Sequence, residues 1–306
     1  MPMPPFQGSI TALITPFKND EVDAKAFQRL VEWQIHQGTH GLVPVGTTGE
    51  SPTLSHEEHK RVIELCIEAA GGRVPVIAGT GSNDTPHSIA MTRRAVEAGV
   101  DGVLLVTPYY NRPSQAGIHE HFRVCAGAAG ELPVMLYDIP VRTGRRIALD
   151  TMLRLAREVP NIVALKDAAA DPPTTARLIA QAPAGFEVYS GDDIMTLPFL
   201  SVGAVGLVSV AAHWVGPQLR RMIDAFLAGE LATAIAGNAE LLDSFDFEST
   251  PEYPNPLPAK AMMRALGLKV GQCRLPMGPS TAELDAQAAK VLAAVGPPAD
   301  TGPSLG

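Results

Sequence analysis

Clustered cysteine is missing from this sequence, and so is clustered positive charge. The three cysteines, Cys66, Cys125 and Cys273, stand far apart and form no Cys-x-x-Cys pair. Neither a disulfide framework nor a cysteine zinc site follows from such spacing, and all three read as reduced thiols buried as small apolar residues. Lysine and arginine number 24 against 32 aspartates and glutamates, a net charge of −8. No basic run exceeds the pairs Arg93-Arg94, Arg145-Arg146 and Arg220-Arg221. That argues against a nucleic-acid partner, whose phosphates call for Lys and Arg gathered on one face. The acidic balance serves solubility. No uncharged apolar stretch approaches the ~20 residues of a membrane span. The leading Met-Pro-Met-Pro-Pro-Phe-Gln-Gly-Ser lacks the basic region and apolar core of a signal peptide. A cytoplasmic protein with no membrane partner is expected.

Apolar residues, in contrast, are plentiful: 46% of 306 residues, with only 18% charged, ample for one large core. Short β-rich runs recur along the chain at Ile10–Phe17, Gly41–Gly46, Val74–Gly79, Gly102–Val106, Pro133–Ile139, Ile162–Lys166, Glu187–Ser190 and Gly206–Val210. Most are almost continuously apolar, the pattern of parallel strands buried on both faces. Helix spacing fills the intervals. Phe27, Leu30, Val31 and Ile35 share one face after an acidic lead-in at Asn19-Asp20-Glu21, and Ser55 with Glu58 forms a capping box. Eight such units predict a (β/α)8 TIM barrel over residues 1–229. A doubly wound sheet would need fewer strands and a phosphate-type glycine loop that is absent. Helical patterns near Leu231–Phe245, Pro258–Leu266 and Thr281–Ala294 predict a small C-terminal helical extension over residues 230–295. The Pro- and Gly-rich stretch 296–306 reads as a disordered tail.

A TIM barrel places its active site at the C-terminal ends of the strands. Of seven lysines, only Lys166 terminates an apolar β-run. A lysine amine desolvated in a barrel mouth has a lowered pKa and, once neutral, attacks a ketone to form an imine. The bland alternative is an ion pair with Asp167 or a neighbouring carboxylate. Tyr137, one strand away, suits proton shuttling, or is simply a packed tyrosine. Gly46-Thr47-Thr48-Gly49 offers backbone N–H groups and two hydroxyls to a carboxylate, or is an ordinary turn. The pairs His119/His121 and His56/His59 fall on predicted helices rather than strand ends. Surface or interface roles are therefore expected for them, and no metal site. Asp192-Asp193 could bind a cation or cap the following helix, and the cap is the favoured reading.

Together these segments resemble the dihydrodipicolinate synthase and N-acetylneuraminate lyase superfamily from about Gly8 to Pro279. Gly46-Thr47-Thr48-Gly49-Glu50-Ser51 is similar to the family's pyruvate-carboxylate loop, and Lys166 falls at its Schiff-base lysine. Tyr109-Tyr110-Asn111-Arg112-Pro113, Arg142-Thr143-Gly144, Gly191-Asp192-Asp193 and Asn255-Pro256-Leu257-Pro258-Ala259-Lys260 are more selective, and resemble the dipicolinate-pathway branch. The resemblance implies condensation of pyruvate with L-aspartate 4-semialdehyde through an imine on Lys166, without a separate cofactor. It implies a proton relay of Tyr137, Thr47 and Tyr110, with Tyr110 crossing an interface of a homodimer or homotetramer. Thr48, Arg142, Gly191 and Val208 would bind the small-molecule substrates, Arg142 taking the semialdehyde carboxylate. A possible site for L-lysine as effector is implied at Ser51, His56, Asn83, His87 and Tyr109. There His87 stands in place of a glutamate and Pro52 in place of a small residue, so weak or absent inhibition is expected. Asp138 departs from the asparagine usual after the strand-five tyrosine. A sugar-acid or hydroxy-ketoacid aldolase on the same barrel would keep Lys166, Tyr137 and Thr47 but has little use for Arg142. A non-catalytic barrel needs no nucleophile. A phosphate-binding barrel needs a glycine-rich site that Ser209 to His213 does not supply.

Overall fold

The computed structural model describes residue 6 and residues 8–296. In chain order the strands are β1 (Gly8–Ala12), β2 (Phe17–Lys18), β3 (Glu21–Val22), β4 (Gly41–Val43), β5 (Ile77–Gly79), β6 (Gly102–Val106), β7 (Val134–Asp138), β8 (Ile162–Asp167), β9 (Glu187–Ser190) and β10 (Gly206–Ser209). Setting aside the small hairpin of β2 and β3, eight strands among the described residues alternate with helices in one parallel sheet. This is the (β/α)8 barrel class expected from the strand count.

The chain packs as two compact units. Ile77–Val208, with Phe6, carries the consecutive parallel ladder from β5 to β10. Val103, Leu105, Leu136, Leu165 and Leu207 on these strands are fully buried. With helices covering a parallel sheet there is no solvent face, hence the unbroken apolar runs. Asp84, Ser114 and Asp171 accept backbone N–H bonds at the starts of the helices Thr85–Ala98, Gln115–Ala128 and Pro172–Gln181.

The other unit comprises Gly8–Val76 and the chain from Ser209 onward. Here β1 pairs with β4, and Leu42 bridges Val76 in the same parallel sense. The helix Ala24–His36 packs its buried Phe27, Leu30, Val31 and Trp33 inward. Trp33 and Gln34 both donate to the His213 carbonyl, at 3.2 and 3.3 Å. Ser55 and Glu58 form the expected capping box on the helix His56–Ala70. The C-terminal patterns emerge as the helices Leu231–Glu248, Leu257–Ala265 and Ala282–Val295. Trp214 Nε1 donates to Ser244 Oγ at 3.1 Å, pinning the first of these.

The expected strands Gly41–Gly46 and Val74–Gly79 shorten to Gly41–Val43 and Ile77–Gly79, and the start of the chain differs more. The first strand stops at Ala12 instead of running to Phe17, and Phe17–Lys18 pairs antiparallel with Glu21–Val22. Asn19 and Asp20, with φ of 52° and 65°, make the two-residue hairpin turn that demands left-handed backbone. Asn19-Asp20-Glu21 is therefore a turn and strand start, and the helix begins at Asp23, whose carboxylate accepts from Ala26 N–H at 3.0 Å. Among the described residues no helix is long and apolar enough to cross a membrane. The tail expected to be disordered lies, after Gly296, outside the described residues.

Candidate active site

Three adjacent strands put the chemistry together in the unit Ile77–Val208. Tyr137 on β7 and Lys166 on β8 are register partners, and Lys166 is in turn the partner of Tyr189 on β9. Side chains alternate faces along a strand, so register partners share one face. Lys166 is only 5% exposed. Its Nζ lies 4.3 Å from the centroid of the Tyr137 ring. Asp167 points to the opposite face, where it accepts from Thr175 Oγ1 at 2.6 Å and Ala169 N–H at 2.9 Å. The neighbouring carboxylate is thus committed to the helix Pro172–Gln181, not to Lys166.

Gly191 owes its lack of a side chain to Lys166. A Cβ at residue 191 would stand 2.9 Å from Lys166 Cγ, 3.1 Å from its Cε and 3.0 Å from the Ala168 Cβ. Any larger residue would displace the stem that carries the amine. Asp192, expected to cap a helix, immediately precedes the 3₁₀ turn Asp193–Met195 but makes no side-chain capping bond. Burial and the Asp193 charge push its carboxyl up, while the Lys166 ammonium opposes the shift. Asp192 is therefore an electrostatic neighbour of Lys166 that sequence reading missed. Its signal was its place two residues past the end of a strand.

Asp138 is fully buried next to Tyr137 and faces outward with Asp167, its register partner. Its Oδ1 accepts from Ile147 N–H at 3.1 Å, and the Arg146 guanidinium approaches its Oδ2 at 3.9 Å. Burial pushes this carboxyl up to about 7, with Asp167 adding to the shift and the Ile147 N–H and Arg146 opposing it. The carboxylate so anchors the segment that follows Arg142.

Arg142 projects, exposed, from the short helix Pro140–Thr143, which Gly144 terminates in left-handed backbone. Arg145 Nε donates to the Pro113 carbonyl at 2.8 Å. Gln115 binds both the Arg146 carbonyl and the Ala148 N–H at 2.9 Å. These bonds join the Arg142 segment to the one that presents Tyr110. Tyr110 is 88% exposed and holds φ at 69°. Strained non-glycine backbone of this kind clusters at functional sites. Val208 is fully buried near the end of β10.

In the other unit, Gly46–Gly49 forms a tight turn after β4, closed by the Gly49 N–H on the Gly46 carbonyl at 3.1 Å. A Cβ on Gly49 would meet backbone atoms of Val45 at 3.0 Å. Thr48 is buried and Thr47 half-buried. Asn255 Nδ2 donates to Thr48 Oγ1 at 3.0 Å. Glu50, buried with φ at 57°, binds Lys260 Nζ at 2.6 Å and the Arg274 N–H at 2.8 Å. The motif Asn255 to Lys260 is visible in the sequence, but its partners Thr48 and Glu50 are not.

The residues named for an effector lie in both units. Ser51 and His56 flank the start of the helix His56–Ala70. Asn83 and His87 flank the start of Thr85–Ala98, and Tyr109 follows β6. Asn111 Nδ2 donates to the Asn83 carbonyl at 2.9 Å. The histidine pairs do fall on helices, but the expected surface or interface role is overturned for three of the four. His59, His119 and His121 are buried, their helices packing them inward, and His56 alone of these is exposed. His119 bonds Glu158 at 2.9 Å and His121 bonds Thr85 Oγ1 at 2.8 Å. Among the described residues no group of three His, Cys, Asp or Glu side chains is arranged to hold a metal ion.

Known proteins match almost the whole chain. A profile described as the dihydrodipicolinate synthetase family covers residues 5–295. The 4-hydroxy-tetrahydrodipicolinate synthase of Symbiobacterium thermophilum is 48% identical over 295 residues, 96% of this chain and 99% of its own length. The protein of that name from Bacillus subtilis is 48% identical over 89% of this chain and 93% of its own. Among solved structures, dihydrodipicolinate synthase from Bacillus anthracis superposes with a TM-score of 0.90 at 44% identity, covering 94% of this chain and 98% of that one. The enzyme from Cyanidioschyzon merolae, solved with lysine bound, gives 0.92 at 42% identity, with 95% and 98% covered.

Proposed function

The chain belongs to the dihydrodipicolinate synthetase family, and from that premise we propose that it is a lyase joining pyruvate to L-aspartate 4-semialdehyde. The product is 4-hydroxy-tetrahydrodipicolinate, on the route to diaminopimelate and lysine. The observation that carries this reading is Lys166, buried at the end of β8 with its Nζ against the Tyr137 ring and its stem packed on Gly191.

The steps follow from imine chemistry. Lys166 Nζ adds to C2 of pyruvate and water leaves, giving an iminium. That cation is an electron sink, so a C3 proton departs and an enamine forms; no external cofactor is required. The enamine carbon attacks the aldehyde, whose oxygen takes up a proton. The amine of the semialdehyde then displaces Lys166 at C2, closing the ring and freeing the enzyme. Tyr137, Thr47 and Tyr110 relay the protons. Thr48 takes the pyruvate carboxylate, together with Thr47. Arg142 takes the semialdehyde carboxylate, a role that suits an exposed guanidinium with bidentate donors. Gly191 and Val208 complete the substrate contacts. An exposed tyrosine held in strained backbone supports the further reading that Tyr110 serves a partner subunit, in a homodimer or homotetramer. The reaction is placed in the cytoplasm. The sugar-acid aldolase alternative has no support among the relatives.

Borohydride treatment with pyruvate, followed by peptide mass spectrometry, tests the proposal. A reduced pyruvyl adduct on Lys166 with loss of activity is expected. An adduct on another lysine, or none, refutes it.

A further inference from the structure

The turn Gly46–Gly49 is flanked by backbone that is costly to hold. Val45 and Glu50, on either side of it, both adopt left-handed backbone, with φ of 50° and 57°. For a β-branched residue such as Val45 this is a genuine outlier, and it persists only where surrounding contacts over-determine it. Those contacts come from far along the chain. Lys260, 1% exposed, bonds Glu50 at 2.6 Å and the Gln272 carbonyl at 3.0 Å. Its Nζ also lies 4.2 Å from the Phe17 ring centroid. Arg274 donates its backbone N–H to Glu50, and its guanidinium binds Glu58 at 2.6 Å. Thr15 Oγ1 closes the other side by donating to the Gly49 carbonyl at 2.7 Å.

Within this frame one bond bears directly on chemistry. Asn255 Nδ2 donates to Thr48 Oγ1 at 3.0 Å, and both residues are buried. A threonine hydroxyl has a single proton and two lone pairs. When one lone pair accepts from an amide, the proton is directed away from that amide. A carboxylate is acceptor-only, so it needs that proton. We propose that Asn255 is a positioning residue for pyruvate: by donating to Thr48 it keeps the Thr48 hydroxyl a donor toward the substrate carboxylate. The clamp of Lys260 on Glu50 holds the turn in place for it. The inference rests on the reading above that Thr48 receives pyruvate.

Asn255→Asp tests the sense of the bond. The carboxylate is close in size but only accepts, so it draws the Thr48 proton to itself and takes it from the substrate. Loss of a hydrogen bond to a charged group predicts a KM for pyruvate raised about tenfold or more. Under saturating pyruvate, KM for the semialdehyde stays unchanged and kcat falls far less than kcat/KM for pyruvate. Asn255→Ala removes the amide without reversing the bond and gives a smaller rise, again confined to pyruvate. If Asn255→Asp yields no folded protein, Asn255→Ala decides alone. A pyruvate-specific rise supports the proposal; an unchanged KM, or equal loss toward both substrates, overturns it. Wild-type KM in Asn255→Asp overturns it as well, because then the amide was accepting from Thr48. Borohydride trapping at saturating pyruvate separates this from failure of the parent reading. Label on Lys166 in wild type and variants leaves imine chemistry standing whatever KM does, whereas no label even in wild type defeats both.

Discussion

Asp138 and Asp167 stand side by side as register partners at the ends of β7 and β8, two buried carboxyls facing away from Lys166. Burial raises both, and each is tied to a different following segment: Asp138 to Ile147, Asp167 to Thr175.

For Asp138 the linkage has a definite sign. Its carboxyl rises from the ordinary 3.8 to about 7 in the folded chain. A raised folded value means that stability is full below the unfolded pKa and is lost as pH rises through the folded one. Asp138→Asn keeps an acceptor for Ile147 and removes the charge. Its stability advantage over wild type should grow from roughly pH 4 to roughly pH 8, approaching about 4 kcal/mol. Urea denaturation across that range checks it; an advantage independent of pH would assign the effect to packing.

Arg142→Ala should leave imine formation with pyruvate nearly intact while impairing use of the semialdehyde. Losing a charge-assisted contact costs roughly 1.5–3 kcal/mol, about 10- to 150-fold in kcat/KM for that substrate. An equal fall in borohydride labelling of Lys166 would make Arg142 structural, acting through the segment that Arg145 and Gln115 hold.

Tyr110→Phe should lower turnover on the order of 10²-fold, the lower end for a general acid–base group. Because the side chain is 88% exposed within the chain, the melting temperature should hardly move. Full activity in a phenylalanine enzyme shown to be free of wild type would leave Tyr110 a packing residue at an interface.

Feedback by L-lysine should be weak. His87 lies in the first turn of the helix Thr85–Ala98, its backbone N–H bonded to Asp84 at 2.7 Å. An imidazole there cannot pair with an ammonium as a carboxylate does, and when protonated it repels one. The missing charged hydrogen bond costs on the order of 1.5–3 kcal/mol. Initial rates against added lysine decide the matter, with strong inhibition well below millimolar as the contrary result. His87→Glu should restore part of the sensitivity, and failure to do so would turn attention to Pro52.

The order of strands and helices was determined by the sequence alone, because apolar runs and 3.6-residue spacing are local properties of the chain. The sequence also singled out Lys166 as a candidate, the lysine that closes a long apolar β-run, but left open an ion pair with Asp167. The first strand was overextended because Leu13 and Ile14 are apolar yet lie outside any strand, and the apolar Phe17 belongs to the separate hairpin with Val22. The turn at Asn19-Asp20 is legible only once its pairing partners are known. Tertiary structure alone decided that Tyr137 and Lys166 share a register, that Gly191 must stay bare for the lysine stem, and that Asp192 lies within electrostatic range of Lys166. It alone brought Asn255 to Thr48 across 207 residues of chain, and Lys260 to Glu50. Periodicity says which face of an element is buried, but not what it is buried against. Contacts between distant segments depend on how whole elements pack, and no local pattern carries that information.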